Sequence, residues 1–147
     1  MKILLAFDGF DYSQPALEET VRLAREDEAT INIVSVVPRT ARGTKSGGHP
    51  GLPPHARDDV AMARAYLRDR GIAADTKIRF GDPADELIEE AAEGKYDLAV
   101  AGSRGLSAIG GLLLGSVSHK LVKRMPCPVI VAGPEESVRH EPTVTVG

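Results

Sequence analysis

The chain has 147 residues, of which 42% are hydrophobic, and its formal net charge is −3. These values fit one globular domain, and a weakly acidic chain is not expected to bind nucleic acid, which requires a basic face. No apolar run approaches the roughly 20 residues that cross a membrane, and the single Cys127 excludes an internal disulfide. We therefore expect a cytoplasmic protein without a membrane partner.

The first part of the chain predicts a strand, a helix and a second strand. Ile3–Phe7 is a short apolar run, which is typical of a strand buried on both faces rather than of a signal peptide. Ser13 or Gln14 is expected to cap a helix with Pro15 in its first turn. Ile31–Val37 is rich in β-branched residues and predicts the second strand.

The middle of the chain begins with a flexible loop at about residues 39–55. The sequence RTARGTKSGGHPGLPP is rich in glycine and proline, and its length indicates either disorder or a functional flap. A second helix is predicted from about Ala56 to Arg70 and ends at Gly71. Thr76, Ile78 and Phe80 alternate with charged residues, which predicts a third strand near a sheet edge.

The last part of the chain continues the same alternation. Asp82 is expected to cap a third helix, with Pro83 at its first position. The remaining predicted elements are a strand at Leu98–Ala101, a helix from about Ser116 to Arg124, a strand at Val129–Ala132 and a polar tail at residues 134–147.

Strands that alternate with helices indicate an α/β fold, in which helices cover both faces of a parallel sheet. Ligands of such sheets bind beyond the carboxyl ends of the strands. Two predicted strand ends carry unusual residues: Asp8-Gly9 follows the first strand and Gly102–Gly105 follows the fourth. If these two strands are neighbours, their loops face one crevice.

The stretch GSRGLSAIGGLLLGS at residues 102–116 contains five glycines. It is not a Walker A loop, because Ser116 stands where that motif has lysine, and the fingerprint G-x-G-x-x-G is absent. Its first two glycines allow a tight turn with exposed N–H groups, and its last glycine begins a helix whose first N–H groups attract anions. We expect it to bind an extended phosphate chain, with Arg104 adding positive charge. The alternative is a loop that only connects a strand to a helix.

Four segments carry a family pattern: ILLAFDG, GDPADELIEEA, DLAVAGSRG and LLLGSVSHKLVKRMPCPVIV. The chain also contains the complete pattern G-x2-G-x9-G-[ST]. In these features it resembles the universal stress protein family, and specifically its ATP-binding branch. The resemblance implies a single domain at residues 1–133, folded as a three-layer sandwich around a five-stranded parallel sheet of order 3-2-1-4-5.

The resemblance also implies an adenine nucleotide as ligand, either ATP or one of AMP and ADP. The residues that match the ribose- and phosphate-binding positions are Gly102, Arg104, Gly105, Gly115, Ser116 and Val117. Asp8, with Ala6 beside it, matches the acidic position of the first strand. The backbone of Val36 matches the position that reads the adenine edge.

Asp8 would repel a triphosphate unless its charge is compensated. One interpretation is that Mg²⁺ or Mn²⁺ bridges Asp8 to the phosphates, and another is that Asp8 accepts a hydrogen bond from a ribose hydroxyl. A third is that Asp8 caps the first helix. Phe10 stands where the family usually has serine after Asp8-Gly9, so we expect Phe10 to pack against the first helix instead of supplying a hydroxyl.

No other side chains suggest a catalytic or metal site. His49 and His55 lack a third ligand for zinc. His119 is expected to face solvent or to be packed, and Cys127 to be a small buried hydrophobe.

These observations favour a nucleotide-dependent regulator of the stress response that is not an enzyme. No Ser-His-Asp set, carboxylate pair or metal-ligand cluster is recognisable at the predicted crevice. The alternatives are a slow ATPase or adenylate-transferring enzyme of a related α/β superfamily, and an interaction module without a nucleotide. The resemblance also implies a homodimer through the last strand, and a regulator needs a protein partner.

Overall fold

The structure is a computed structural model that describes residues 1–7, 10–38, 54–102 and 116–133. Strands and helices alternate along these residues. Their bounds are β1 Lys2–Ala6, α1 Phe10–Glu26, β2 Thr30–Val37, α2 Pro54–Arg68, β3 Ala74–Phe80, α3 Pro83–Gly94, β4 Leu98–Gly102, α4 Ser116–Arg124 and β5 Val129–Ala132. Most of the predicted loop and the whole predicted tail lie outside the described residues.

The strands of the described segments form one five-stranded sheet of order β3-β2-β1-β4-β5, and all its pairs are parallel. This confirms the predicted fold class and strand order. β1 and β4 are neighbours, with Ile3 beside Leu98 and Leu5 beside Val100. β3 lies at one edge of the sheet, as the alternation in its sequence predicted, and β5 lies at the other.

A pair of helices covers each face of the sheet. Ile3 and Leu5 of β1 pack with buried residues of α1 and α2, among them Leu17 and Leu67. Leu4 points to the opposite face and belongs to a second cluster with α3 and α4, whose other members include Val34, Leu87, Ala91, Ala99, Leu121 and Val131. Because successive side chains of a strand point to opposite faces, the continuous apolar strands supply both halves of the core.

The first helix begins earlier than the sequence predicts. α1 starts at Phe10 and contains Pro15, rather than starting at Ser13 or Gln14. Ser13 is only 4% exposed, so the buried side of the helix already begins before the proline. Pro15 lies inside α1 and not in its first turn, so its missing N–H removes one helical hydrogen bond. The predicted cap of this helix is therefore wrong.

The other helix ends follow local sequence signals. α2 runs from Pro54 to Arg68, slightly earlier at both ends than predicted, and Gly71 follows it with a φ of 79°. Asp82 caps α3 as predicted, because its carboxylate accepts a hydrogen bond from the backbone N–H of Asp85 at 3.0 Å. Within the described ranges, none of the helices combines the length and apolar character that a bilayer crossing requires.

A set of polar side chains fixes α3 against the edge strand β3. Arg79 donates hydrogen bonds to Glu86 at 3.0 Å and to Glu90 at 2.8 Å. Lys77 pairs with Glu90 at 2.8 Å, and the hydroxyl of Tyr96 donates to the same carboxylate at 2.9 Å. These five residues are called the charge network below.

Ion pairing outweighs burial in the charge network. Burial alone would raise the pKa of Glu90, but hydrogen bonds from Lys77 and Arg79 lower it below its ordinary value. Burial also opposes the charge of Arg79, yet hydrogen bonds to Glu90 and Glu86 raise the pKa of this guanidinium. Burial and the bond to Glu90 raise the pKa of Tyr96 to about 12. At neutral pH the network therefore consists of paired charges with tyrosine as a neutral donor.

The C-terminal end of α3 is fastened to the start of β1. Lys2 Nζ donates to the carbonyl of Gly94 at 2.7 Å and lies 4.6 Å from the centroid of the Tyr96 ring. A Cβ at Gly94 would overlap that ring, which explains the glycine. An open hollow of about 440 Å³ adjoins these residues at the amino ends of the strands. In the described part of the chain, no buried side-chain N or O atom lacks a hydrogen-bond partner, so the hollow offers no such atom to a ligand.

Candidate functional site at the carboxyl edge of the sheet

The parallel strands end together at one edge of the sheet, called the carboxyl edge below. Ala6 is the last residue of β1, and Gly102 is the last residue of β4. β1 and β4 are neighbours, so the strands that precede Asp8-Gly9 and the glycine-rich loop in the sequence lie side by side. The prediction of a shared crevice requires that these two strands are neighbours, and the structure meets this requirement.

Three of the predicted site residues contribute partly exposed apolar side chains at this edge. Ala6, Val36 and Val117 all pack against the core cluster that α3 and α4 share. Ala6 lies beside Val34 in the sheet, and Val36 is the next residue of β2 on the same face. A flat, largely apolar group such as a nucleobase is bound by surfaces of this kind.

Ser118 connects the two ends of the glycine-rich loop. Its Oγ donates a hydrogen bond to the backbone carbonyl of Gly102 at 2.6 Å, across 16 positions of the sequence. Ser118 lies in the first turn of α4 and is 3% exposed. The bond therefore holds the N-terminus of α4 against the end of β4.

Ion pairs fasten α4 to the first turn of α3. Lys120 Nζ pairs with Asp85 at 2.7 Å and with Asp82 at 3.7 Å. The hydrogen bond from Lys120 lowers the pKa of Asp85, and the same bond raises the pKa of Lys120. Both helices begin at the carboxyl edge, so these ion pairs lie between the positive ends of two helices.

The predicted site residues divide into two groups. The residues that lie outside the described ranges are Asp8, Arg104, Gly105 and Gly115. The residues that the structure places at the carboxyl edge are Ala6, Val36, Gly102, Ser116 and Val117, with Ser116 described only as the first residue of α4. The roles of all nine in nucleotide binding stay predictions.

A metal site is predicted only through Asp8. Within residues 1–7, 10–38, 54–102 and 116–133, no group of three or more His, Cys, Asp or Glu side chains could hold a metal ion. Asp8 and the side chains of His49 and His55 lie outside the described set. The proposed Mg²⁺ or Mn²⁺ therefore rests on the sequence.

No catalytic or metal-binding role is predicted for His119 and Cys127, and their surroundings in the structure agree with the expected ones. His119 is exposed, as expected. Cys127 is 6% exposed, and burial together with the charge of Asp97 raises the pKa of its thiol to about 11. At neutral pH the thiol is protonated and behaves as a small apolar group.

Sequence reasoning overlooked Ser118. A signal was present, because Ser118 precedes Leu121 and Val122 at helical spacing and so falls on the side of α4 that packs on the core. A buried hydroxyl on such a side requires a hydrogen-bond partner. The partner itself, Gly102, is set by the meeting of α4 and β4 and not by local sequence.

Comparison with known proteins decides the family. The model described as the universal stress protein family matches residues 1–133. The chain belongs to the universal stress protein family. It is 34% identical over 143 residues to universal stress protein YxiE of Bacillus subtilis (strain 168), covering 88% of this chain and 97% of that protein. It is 46% identical over 143 residues to the universal stress protein in the QAH/OAS sulfhydrylase 3′ region of Thermus aquaticus, covering 88% of this chain and 96% of that one.

A solved member of the family has the same fold. A universal stress protein in complex with cAMP superposes with a TM-score of 0.70 and is 26% identical, over 90% of this chain and 95% of that chain. The matched family and the observed strand order thus agree with each other.

Proposed function

We propose that this universal stress protein binds an adenine nucleotide at the carboxyl edge, with ATP as its main ligand, and acts as a nucleotide-dependent regulator of the stress response in the cytoplasm. The observation that carries the proposal is the meeting of three elements: β1 and β4 end side by side, and α4 begins against the end of β4. The predicted phosphate motif starts at Gly102 and ends at Ser116, and both residues lie at this edge. The family member in complex with cAMP supports an adenine nucleotide as the ligand class.

The groups at the carboxyl edge suit the parts of a nucleotide. The partly exposed side chains of Ala6, Val36 and Val117 offer apolar surface for the base. The first N–H groups of α4 and the positive end of its dipole suit phosphate oxygens. Arg104 supplies a positive charge in the same motif. Mg²⁺ or Mn²⁺ at Asp8 would neutralise phosphate charge when it is bound.

We also propose that the protein holds its nucleotide without rapid turnover. The site supplies groups for phosphate binding, but neither the sequence nor the described residues identify a group that would orient an attacking water. ATP hydrolysis well above about one turnover per minute, dependent on Gly105, would contradict this proposal and favour a slow ATPase.

The proposed regulator is a homodimer through β5 that acts on a protein partner. Within the described residues β5 pairs with β4 alone, so the other edge of β5 has no partner strand there. An open edge of this kind can add a strand from a second chain. Sedimentation equilibrium is expected to give twice the chain mass of 15.6 kDa, and a single-chain mass would contradict the dimer.

Nucleotide binding is tested first by chromatography of the supernatant after the purified protein is denatured, where we expect ATP. A second test is thermal unfolding with ATP at about 100 times its Kd, which adds about 2.7 kcal/mol of stability to a protein that binds only when folded. Gly105→Glu places a carboxylate in the phosphate motif, and we expect it to abolish this stabilisation while the protein stays folded.

The matched control is Met62→Glu, which adds the same charge at a side chain of α2 that is 55% exposed. It is expected to keep the stabilisation by ATP. Stabilisation that survives Gly105→Glu would place the nucleotide elsewhere. A wild-type protein that neither retains nor responds to any adenine nucleotide would favour an interaction module instead.

A further inference from the structure

We infer that Ser118 is a positioning residue for nucleotide binding, because its buried hydroxyl fixes the start of α4 to the carbonyl of Gly102. This inference rests on the proposed function, since it assigns another residue to the same site. The sequence motif ends at Ser116 and does not include Ser118.

The geometry places this hydrogen bond at the base of the loop. Ser118 Oγ lies 2.6 Å from the carbonyl oxygen of Gly102, and Ser118 is 3% exposed. The pairing between β1 and β4 ends at Leu5 and Val100, whereas Gly102 still pairs with Ala132 of β5. Ser118 supplies a donor from α4 to Gly102 at the end of β4, beyond the pairing with β1.

The consequence is a fixed spacing between Gly102, where the predicted phosphate motif starts, and the first turn of α4, where it ends. A ligand that contacts both ends of the motif binds more tightly when this spacing is set before the ligand arrives, because less ordering is then required on binding. Without the hydroxyl, the start of α4 can move relative to β4, and part of the affinity is lost.

Thr20 offers a matched control in the middle of α1. It is fully buried, and its Oγ donates to the backbone carbonyl of Ala16 at 2.8 Å. Ser118→Ala and Thr20→Val therefore each remove one buried hydroxyl–carbonyl hydrogen bond. Only the first of these bonds touches the predicted phosphate motif.

The experiment measures the Kd for ATP by isothermal titration calorimetry, at a temperature where circular dichroism shows that every variant is folded. We expect Ser118→Ala to raise the Kd about three- to tenfold, which corresponds to one hydrogen bond. Thr20→Val is expected to stay within about twofold of wild type, as is Ser118→Thr, which keeps the hydroxyl.

Three results would overturn the inference. If wild type binds ATP and Ser118→Ala binds it equally well, Ser118 does not position the site, although the proposed function stands. If Thr20→Val raises the Kd as much as Ser118→Ala, the effect is a general loss of stability. If wild type does not bind any adenine nucleotide, the proposed function fails and the inference fails with it.

If Ser118→Ala does not fold, Ser118→Cys is measured in its place and judged by the same changes in Kd. A thiol is similar in size to the hydroxyl but is a weaker hydrogen-bond donor.

Discussion

The side chains of the charge network and the apolar side chains at the carboxyl edge lie on the same face of the sheet. The two regions differ in how their polar groups find partners. Lys77 and Arg79 of β3 lie beside Val34 and Val36 of β2, so the two regions meet in register. In the charge network, Glu90 has a lysine, an arginine and a tyrosine as partners. The carboxyl edge instead presents partly exposed apolar side chains and the N-terminus of α4.

This difference separates stability from binding. Charges that neutralise one another between β3 and α3 need no ligand, and they hold α3 in place. The N-terminus of a helix has N–H groups without partners inside the helix, which favours an anion. We therefore expect changes in the charge network to alter the free energy of unfolding, and changes at the carboxyl edge to alter nucleotide affinity.

Among the changes that test this comparison, Arg79→Met is expected to lower the free energy of unfolding most. The change leaves Glu90, which is 4% exposed, without one of its cations. Removal of one partner of a buried ion pair costs about 3 kcal/mol. We expect urea denaturation to show a loss of about that size, while the Kd for ATP stays within about twofold of wild type.

The control for Arg79→Met is Arg68→Met, which removes an exposed arginine in the last turn of α2. Surface changes of this kind are expected to stay within about 0.5 kcal/mol. A marked loss of ATP affinity in Arg79→Met would show that the two regions are coupled, and would contradict the separation.

The second largest effect is the loss of the stabilisation by Glu90 at acid pH. Burial raises the pKa of Glu90, but hydrogen bonds from Lys77 and Arg79 lower this pKa by more than burial raises it. The pKa of Glu90 therefore lies below its ordinary value of 4.5. The unfolded chain then binds this proton at a higher pH than the folded protein. The stabilisation by Glu90 is therefore complete well above pH 4.5 and is lost as the pH falls through the folded-state pKa.

Urea denaturation of wild type and Glu90→Gln tests this dependence. We expect wild type to be the more stable protein at about pH 7, and the difference to shrink at about pH 3. Glu26→Gln is the control, because Glu26 is a 64% exposed partner of Arg22 and should change stability little at either pH. A difference between wild type and Glu90→Gln that grows towards acid pH would refute the assignment.

The smallest effect is expected from Lys120→Met, at the contact between α4 and α3. Lys120 is 36% exposed and Asp85 is 54% exposed, so water and salt screen their attraction. We expect a slight loss of stability at low salt that disappears at about 1 M salt. Lys123→Met, at an exposed position of the same helix, is the reference. A loss as large as that of Arg79→Met would mean that this pair behaves as a buried one.

Local signals explain most of the correct predictions for this chain. The capping of α3 by Asp82 follows from residues within one turn. The strand at Val129–Ala132 follows from its β-branched composition. The start of α1 was wrong because Pro15 is a strong local signal, whereas burial of Ser13 against the rest of the fold favours an earlier start. The order of the strands came from the family resemblance, since periodicity does not specify which strands are neighbours.

The sequence by itself determined the alternation of strands and helices and the position of the glycine-rich motif after β4, because both depend on residues a few positions apart. Only the tertiary structure decided that Ser118 meets Gly102 and that Arg79 meets Glu86 and Glu90. These partners belong to different elements, and the packing of the helices on the sheet sets the distances between them.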